Sequence, residues 1–236
     1  MRRKGYHVRM HDADETCWTL IEDAAAGKAE GRDRFALHYA PVVKAYLLAR
    51  WGRSDSKNLL DDAMQEVFLE CFKHGGALEK VESRRRGGFR AFLYGVTRNV
   101  TRRFEEKSGR SKEVTLGSTL GESPQLADKD LERAFDRAWA MSIVRQSVDQ
   151  QRESAAASGD EALKRLELLR LRFQEAKPIR DIATEWGEDA AILHREYAKA
   201  RREFEDALQQ VVAFHLPGEP ADVARECQQL LALLES

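Results

Sequence analysis

Apolar residues recur at helical spacing in one segment after another, and this pattern constrains the fold more than any other feature of the sequence. The clearest run consists of Leu60, Met64, Val67, Phe68, Cys71 and Phe72. Residues three and four apart lie on one face of an α-helix, so each such run predicts an amphipathic helix. The composition agrees, because 31 Ala and 25 Leu outnumber 13 Val and 5 Ile, and only 5 Pro interrupt them. The sequence therefore predicts an all-α fold and excludes an all-β one.

The helical runs fall into two groups. The first covers residues 15–107, and residues 108–130 then turn to Ser, Gly, Thr and charged residues, which predicts a flexible linker. Helical spacing resumes at Leu131 and continues to residue 212. We therefore predict two helical domains, 15–107 and 131–212, joined by the linker 108–130 and followed by a short C-terminal helical extension, 213–236.

The extension carries apolar residues at helical spacing, with acidic residues at its flanks. A lone amphipathic helix of this length is marginal in water, so we expect it to pack on another surface. One alternative is packing against the helices of the second domain. The other is an internal brake that covers a partner-binding face elsewhere on the chain.

Charge is unevenly distributed along the chain, although the net charge is only −1. Residues 84–112 contain ten basic residues against Glu105 and Glu106, whereas residues 203–236 contain seven acidic residues against Arg225 alone. Such segregation indicates surfaces of opposite sign for different partners.

The sequence indicates a cytoplasmic protein that does not insert into a membrane. Its three cysteines are odd in number and far apart, which suits a reducing compartment. No apolar run approaches the roughly 20 residues that a membrane-spanning helix needs. The charged start (MRRK) does not lead into an apolar stretch, so we expect no signal peptide.

The spacing of Ala183, Gly187 and Leu193 suits a helix-turn-helix. Ala183 allows close approach of two helices, Gly187 permits a positive φ in the turn, and Leu193 packs inward from the second helix. Asp189 is placed to cap that helix. Its outer face offers the basic residues His194, Arg195, Lys199 and Arg202. The alternatives are contact with DNA and an ordinary helical hairpin with a solvated basic face.

Two further segments carry charge at helical spacing. In the basic segment, Tyr94 shares a predicted outer face with Arg90, Arg98 and Thr101, which suits single-stranded nucleic acid or a plain charged surface. Around residue 65, a second face opposite an apolar stripe consists of Asp62, Gln65, Glu66 and Leu69. This second face predicts protein docking, or simply a solvated surface.

The sequence offers no catalytic, cofactor or metal site. The six histidines show no HExxH pairing, the cysteines form no CxxC, and no phosphate-binding glycine loop or nucleophile elbow is present. We therefore do not expect an enzyme.

Four segments, in this order, resemble motifs of one known family. Residues 35–43 (FALHYAPVV) are similar to its opening region-two helix, and 61–69 (DDAMQEVFL) to its (A/E)-D-x-x-Q-E-x-F helix that docks on the polymerase clamp. Residues 89–99 (FRAFLYGVTRN) resemble its F-x-x-W-L-x-x-I-A-x-N segment for the minus-ten promoter element. Residues 179–201, from IRDIA to AKAR, are similar to its region-four helix-turn-helix. The family is the extracytoplasmic-function group of bacterial RNA polymerase sigma factors.

The resemblance implies a promoter-specificity subunit that directs transcription initiation without catalysis of its own. The implied contacts with the clamp of the RNA polymerase core are Asp61, Asp62, Gln65, Glu66 and Leu69. The implied contacts with the opened minus-ten strand are Arg90, Tyr94, Arg98, Asn99, Arg102 and Arg103. The implied contacts with minus-thirty-five duplex are His194, Arg195, Lys199 and Arg202. An anti-sigma protein is a further partner that the resemblance suggests.

The sequence departs from the family at four positions. Phe92 stands where Trp is usual, and Arg103 where Asp is common. In the helix predicted to read the minus-thirty-five element, Ile192 replaces Thr and Glu196 replaces Arg. Two rival functions stay open: a free-standing helix-turn-helix regulator, and a polymerase-docking adaptor that does not read DNA.

Overall fold

The computed structural model describes residues 17–52, 57–81, 88–107 and 128–235. Within these ranges the chain forms helices and a single 3₁₀ turn at Leu78–Lys80. The helices are α1 (Cys17–Ala25), α2 (Ala29–Trp51), α3 (Lys57–Phe72), α4 (Gly88–Lys107), α5 (Asp128–Ser158), α6 (Asp160–Gln174), α7 (Ile179–Trp186), α8 (Ala190–His215) and α9 (Pro220–Glu235). The all-α prediction is confirmed for the described residues.

One hydrophobic core, called here the main core, joins helices from both halves of the chain. It contains buried side chains of α1 to α5, of the C-terminal half of α8 and of α9. Aromatic rings make the link between α2 and α5: Tyr39 stacks on Trp139 with centroids 5.7 Å apart, and Tyr46 meets Phe135 edge-on at 6.5 Å. These contacts hold the first half of α5 against α2.

This packing bears on the predicted linker. Asp128, inside the range 108–130, is already the first residue of α5, while residues 108–127 lie outside the described residues. In the described structure the helices on either side of that range pack together in the main core. The division into two domains stays a prediction.

A second, smaller cluster lies around the predicted helix-turn-helix. It is formed by Leu168, Leu171, Ile179, Ile182, Ala183 and Leu193. These side chains come from α6, α7 and the first turn of α8, so three helices enclose the cluster. It fixes the start of α8, while the end of α8 belongs to the main core.

The C-terminal extension is a helix of the protein's own core. Val223, Cys227 and Leu230 of α9 are buried in the main core, where α9 packs on α5 and α8. This is the packing alternative for the extension.

A buried carboxylate fixes the end of α4 to the end of α2. Arg50 donates from Nε to Glu105 Oε1 at 3.0 Å and from Nη2 to Oε2 at 3.2 Å. Trp51 Nε1 donates to the same Oε1 at 2.7 Å. Because a buried carboxylate is costly unless it is paired and hydrogen-bonded, this arrangement gives Glu105 a structural role.

Candidate polymerase and nucleic-acid interfaces

The face of α3 that was predicted to dock on polymerase points away from the core. Ala63, Val67 and Cys71 are buried on the inner side of the helix. The outer residues Asp61, Asp62, Gln65 and Leu69 are exposed, and Leu69 keeps 54% of its surface accessible. Four of the five predicted docking residues therefore lie on one accessible face.

The fifth predicted docking residue, Glu66, lies at the side of α3 nearest α4. Lys107 Nζ is 3.4 Å from Glu66 Oε1. One turn further along, Arg103 Nη2 and Lys73 Nζ lie 3.0 and 2.9 Å from Glu70 Oε2. Hydrogen bonds from Lys73 and then Arg103 hold the pKa of Glu70 below its ordinary value. Arg103, predicted to contact DNA, is thus engaged by α3 in this conformation.

Two of the predicted minus-ten arginines of α4 form ion pairs with α5. Arg90 Nη1 lies 2.6 Å from Asp136 Oδ1, and Arg98 Nη2 lies 2.6 Å from Asp128 Oδ2. The sequence did not predict these pairs, because nothing in the residue spacing within α4 identifies a partner on another helix. The predicted residues Asn99 and Arg102 are exposed.

Tyr94 lies between these two arginines. The spacing predicted an open surface for its side chain, but the structure does not show one. Its ring meets Tyr46 at 5.8 Å and Phe135 at 5.3 Å, both edge-on, and the side chain is partly buried. Burial raises the pKa of the Tyr94 phenol, and the negative charge of Glu132 raises it further. The prediction that Tyr94 is exposed is wrong, because α5 covers this part of α4.

Thr101, predicted on the same outer face, is buried as well. Its hydroxyl donates to the backbone oxygen of Thr97 at 2.7 Å. A hydroxyl that can bond to the preceding turn of its own helix is easily buried, so helical spacing alone did not distinguish the two faces of α4.

The turn between α7 and α8 contains the left-handed glycine and the helix cap that the spacing predicted. Gly187 follows α7 in the left-handed region, with φ 67° and ψ 32°, where a side chain would be strained. Asp189 caps α8: its Oδ1 accepts from the backbone N–H of Ala191 at 2.7 Å and of Ile192 at 3.2 Å. Ala183 and Leu193 are buried between the two helices, in agreement with the spacing argument.

The outer face of α8 presents its basic residues to solvent. The exposed members are His194, Arg195, Lys199 and Arg202. In the part of the chain that the structure describes, none of them forms an ion pair of 4.0 Å or less. Ile192, beside them in the first turn, is also exposed. These residues form an accessible basic surface.

Glu196, one of the departures from the family pattern, has a structural partner. Arg165 of α6 lies 3.5 Å from Glu196 and 2.9 Å from Glu203, both on α8. The Arg165 side chain is nearly buried, so two carboxylates compensate a desolvated charge. Glu196 therefore helps to fix α8 on α6, a role that sequence reasoning missed.

Another group that the sequence did not reveal is a buried polar chain between α2, α5 and α8. Gln146 Nε2 donates to Ser142 Oγ at 3.2 Å, which leaves Gln146 Oε1 as the acceptor for His215 Nε2 at 3.2 Å. His215 Nδ1 then accepts from the Tyr39 hydroxyl at 3.3 Å. All of these groups are enclosed by the main core. The hydrogen-bonded chain therefore connects α2, α5 and α8.

Neither metal ligands nor membrane-spanning helices are found where the structure is described. Across residues 17–52, 57–81, 88–107 and 128–235, no three His, Cys, Asp or Glu side chains converge as metal ligands would. Over the same ranges, no helix has the length and apolar content needed to cross a bilayer.

Comparison with known proteins adds no family to this geometry. No family model, curated protein or solved structure matches the chain. The surfaces that bear on function are therefore those of the protein itself: the outer face of α3, the arginines of α4 and the basic face of α8.

Proposed function

We propose that the chain is a promoter-specificity subunit of bacterial RNA polymerase that acts in the cytoplasm, binds the polymerase core and recognises and opens promoter DNA. The observation that carries the proposal is the outer face of α3. There the acidic residues Asp61 and Asp62 lie with Gln65 beside an accessible Leu69. An apolar side chain with a charged surround suits a docking surface, in which the apolar contact is buried and the charges orient the partner.

Two other surfaces support the proposal. The capped start of α8 and its basic outer face suit contact with duplex DNA, since such a helix enters the major groove through its first turns. The arginines of α4 suit the phosphates of an opened strand, and Asn99 offers an exposed amide for a base edge. A single chain with both kinds of surface connects polymerase to a promoter.

The docking assignment is tested with the double variant Asp61→Ala/Asp62→Ala. We expect its affinity for purified core polymerase to fall by about tenfold or more, because charges at the edge of an interface orient and hold the partner. The melting temperature should stay within about 2 °C, since exposed charges contribute little to stability.

The matched control is Glu205→Ala/Asp206→Ala, which removes two adjacent exposed acids from α8. It makes the same change in net charge at another place and should leave core binding unchanged. Equal loss of binding in the two variants would show a general charge effect and contradict the α3 docking surface.

A specific observation also favours the second candidate, an adaptor that docks on polymerase without reading DNA. Arg90, Arg98 and Arg103 are all engaged by carboxylates of the protein itself. Glu196 is likewise held by Arg165 rather than free for DNA. An adaptor that does not bind DNA can keep these ion pairs at all times, because it does not need the side chains for contact with DNA.

A mobility-shift assay on promoter fragments separates the candidates. The promoter-specificity subunit shifts DNA only with core polymerase, a free-standing regulator shifts it alone, and an adaptor shifts it in neither case. Run-off transcription from a random-promoter library with purified core then identifies the sequence that the subunit selects. Absence of any specific transcript would contradict the proposed function.

A further inference from the structure

The acidic residues of α5 that face α4 repeat the spacing of the residues they meet. Arg90, Tyr94 and Arg98 occur every fourth residue on α4, and so share one face of that helix. Across from them, the residues called here the α5 acidic edge, Asp128, Glu132 and Asp136, also occur every fourth residue. Because Arg90 pairs with Asp136 and Arg98 with Asp128, the two rows run in opposite directions and match end to end.

The α5 acidic edge offers the arginines the same chemistry as a nucleic-acid strand. A guanidinium donates to carboxylate oxygens and to phosphate oxygens in the same way, and in both cases the acceptor is negative. Both pairs here are short, at 2.6 Å. The charge of an arginine held in this way is compensated, and its bonded nitrogen has to leave the carboxylate before that nitrogen contacts a phosphate.

The exchange does not require α5 to leave the core. Leu131, Phe135 and Trp139, on the inner side of α5, are buried in the main core. The ionic partners lie nearer the margin: the side chains of Asp128 and Arg98 are 65% and 38% exposed, and those of Arg90 and Asp136 are 36% and 22% exposed. Exposed ion pairs contribute only about 0–1 kcal/mol, so side-chain rotation alone can release the arginines to a stronger anionic partner.

We propose that the α5 acidic edge is an internal competitor for single-stranded DNA, which occupies Arg90 and Arg98 while the protein is free. The proposal rests on the proposed function, because it takes the minus-ten strand as the ligand of these arginines. It predicts that the isolated protein binds single-stranded DNA weakly, and that loss of the acidic edge strengthens binding in the absence of polymerase.

The test compares two doubly substituted full-length proteins. Asp128→Asn/Asp136→Asn removes the competitor, and Asp130→Asn/Asp149→Asn is the matched control. The control removes two carboxylates from the same helix, each paired with an arginine three residues later, Arg133 and Arg152. Asp128 and Asp130 both lie in the first turn of α5, so their effects on the helix dipole are alike. The net charge of the two variants is identical.

Binding of a fluorescein-labelled single-stranded oligonucleotide is measured by anisotropy over a range of salt concentrations. We expect Asp128→Asn/Asp136→Asn to bind about tenfold more tightly than the control. Its plot of log affinity against log salt should be steeper by about 1.4, for two added phosphate contacts of about 0.7 each. Adding Arg90→Ala and Arg98→Ala to this variant should abolish the gain.

Equal affinity and equal salt dependence of the two variants would overturn the proposal. If circular dichroism shows that Asp128→Asn/Asp136→Asn folds poorly, Asp128→Asn alone replaces it, because the Asp128 side chain is exposed and its loss leaves the packing intact. An unchanged salt dependence of binding by that single variant would equally contradict the proposal. Transcription by the unsubstituted protein with core polymerase separates this failure from failure of the proposed function. If the unsubstituted protein is active in transcription, the proposed function holds even though the competitor is absent. If it is inactive, the proposed function itself is contradicted.

Discussion

At the scale of the residue, the roles of the carboxylates in this protein differ according to their partners. Asp189 is bound to backbone N–H groups at the start of α8, Glu196 shares Arg165 with Glu203, and Glu105 is enclosed by Arg50 and Trp51. These carboxylates stabilise the fold. Asp61 and Asp62, in contrast, are exposed, which leaves them accessible to a partner.

Asp189→Ala removes the only side-chain acceptor for the first N–H groups of α8 among those described. We expect the free energy of unfolding to fall by about 1 kcal/mol, within the range of about 0.5–2 kcal/mol that is typical of lost helix caps. Urea denaturation measures the change. Asp189→Ser, which retains an oxygen acceptor, should recover most of the loss; a serine variant as unstable as the alanine variant would contradict the capping role.

At the scale of the element, α9 shows how one helix presents two different surfaces. Leu230 is 3% exposed in the main core, whereas its neighbour Leu231 is 40% exposed. Adjacent residues on a helix point about 100° apart, so one leucine packs inward and the next lies at the edge. The acidic residues around α9 therefore lie on or beside a helix that belongs to the main core.

Leu230→Ala should destabilise the protein much more than Leu231→Ala does. A buried leucine replaced by alanine costs about 2–5 kcal/mol, through lost apolar burial and the cavity that remains, while an exposed site costs about 0.5 kcal/mol or less. Thermal or urea denaturation of the two variants tests this difference. Tighter promoter binding by Leu230→Ala at an unchanged melting temperature would instead indicate that α9 is a brake.

At the scale of the whole molecule, the main core connects residues that are distant in the sequence. Cys17 of α1, near the start of the described chain, donates from Sγ to the backbone oxygen of His215 at the end of α8, at 3.3 Å. Burial also raises the pKa of this thiol to about 12. The smaller cluster around α7 is separate from this core. The main core and the smaller cluster therefore differ in how many helices they hold together.

Core substitutions should therefore have effects of different extent. Leu47→Ala, in the main core, is expected to cost about 2–5 kcal/mol and to lower hydrogen-exchange protection in α2, α5 and the end of α8 together. Ile182→Ala, in the smaller cluster, should lower protection in α7 and the first turns of α8 and spare α2. Hydrogen exchange with mass spectrometry resolves these segments. Loss confined to α2 after Leu47→Ala would contradict a shared core.

Much of the local structure was predictable from the sequence. The helices follow from apolar spacing, and the turn at Gly187 and the cap at Asp189 follow from the backbone demands of a helix-turn-helix. The exposure of Asp61, Asp62 and Leu69 follows from their position opposite the apolar stripe of α3. Each of these features depends on residues close together in the chain, so local periodicity contains the necessary information.

The tertiary structure decided which charges face solvent. That Arg98 meets Asp128, that Tyr94 is covered by Phe135 and that Glu196 meets Arg165 depends on which helices become neighbours. Helical periodicity gives the faces of a helix, but it does not tell which other helix packs against each face. For this protein the sequence alone therefore determined the helices and their candidate surfaces, and only the packing of α3 and α5 against α4 decided which arginines of α4 are occupied.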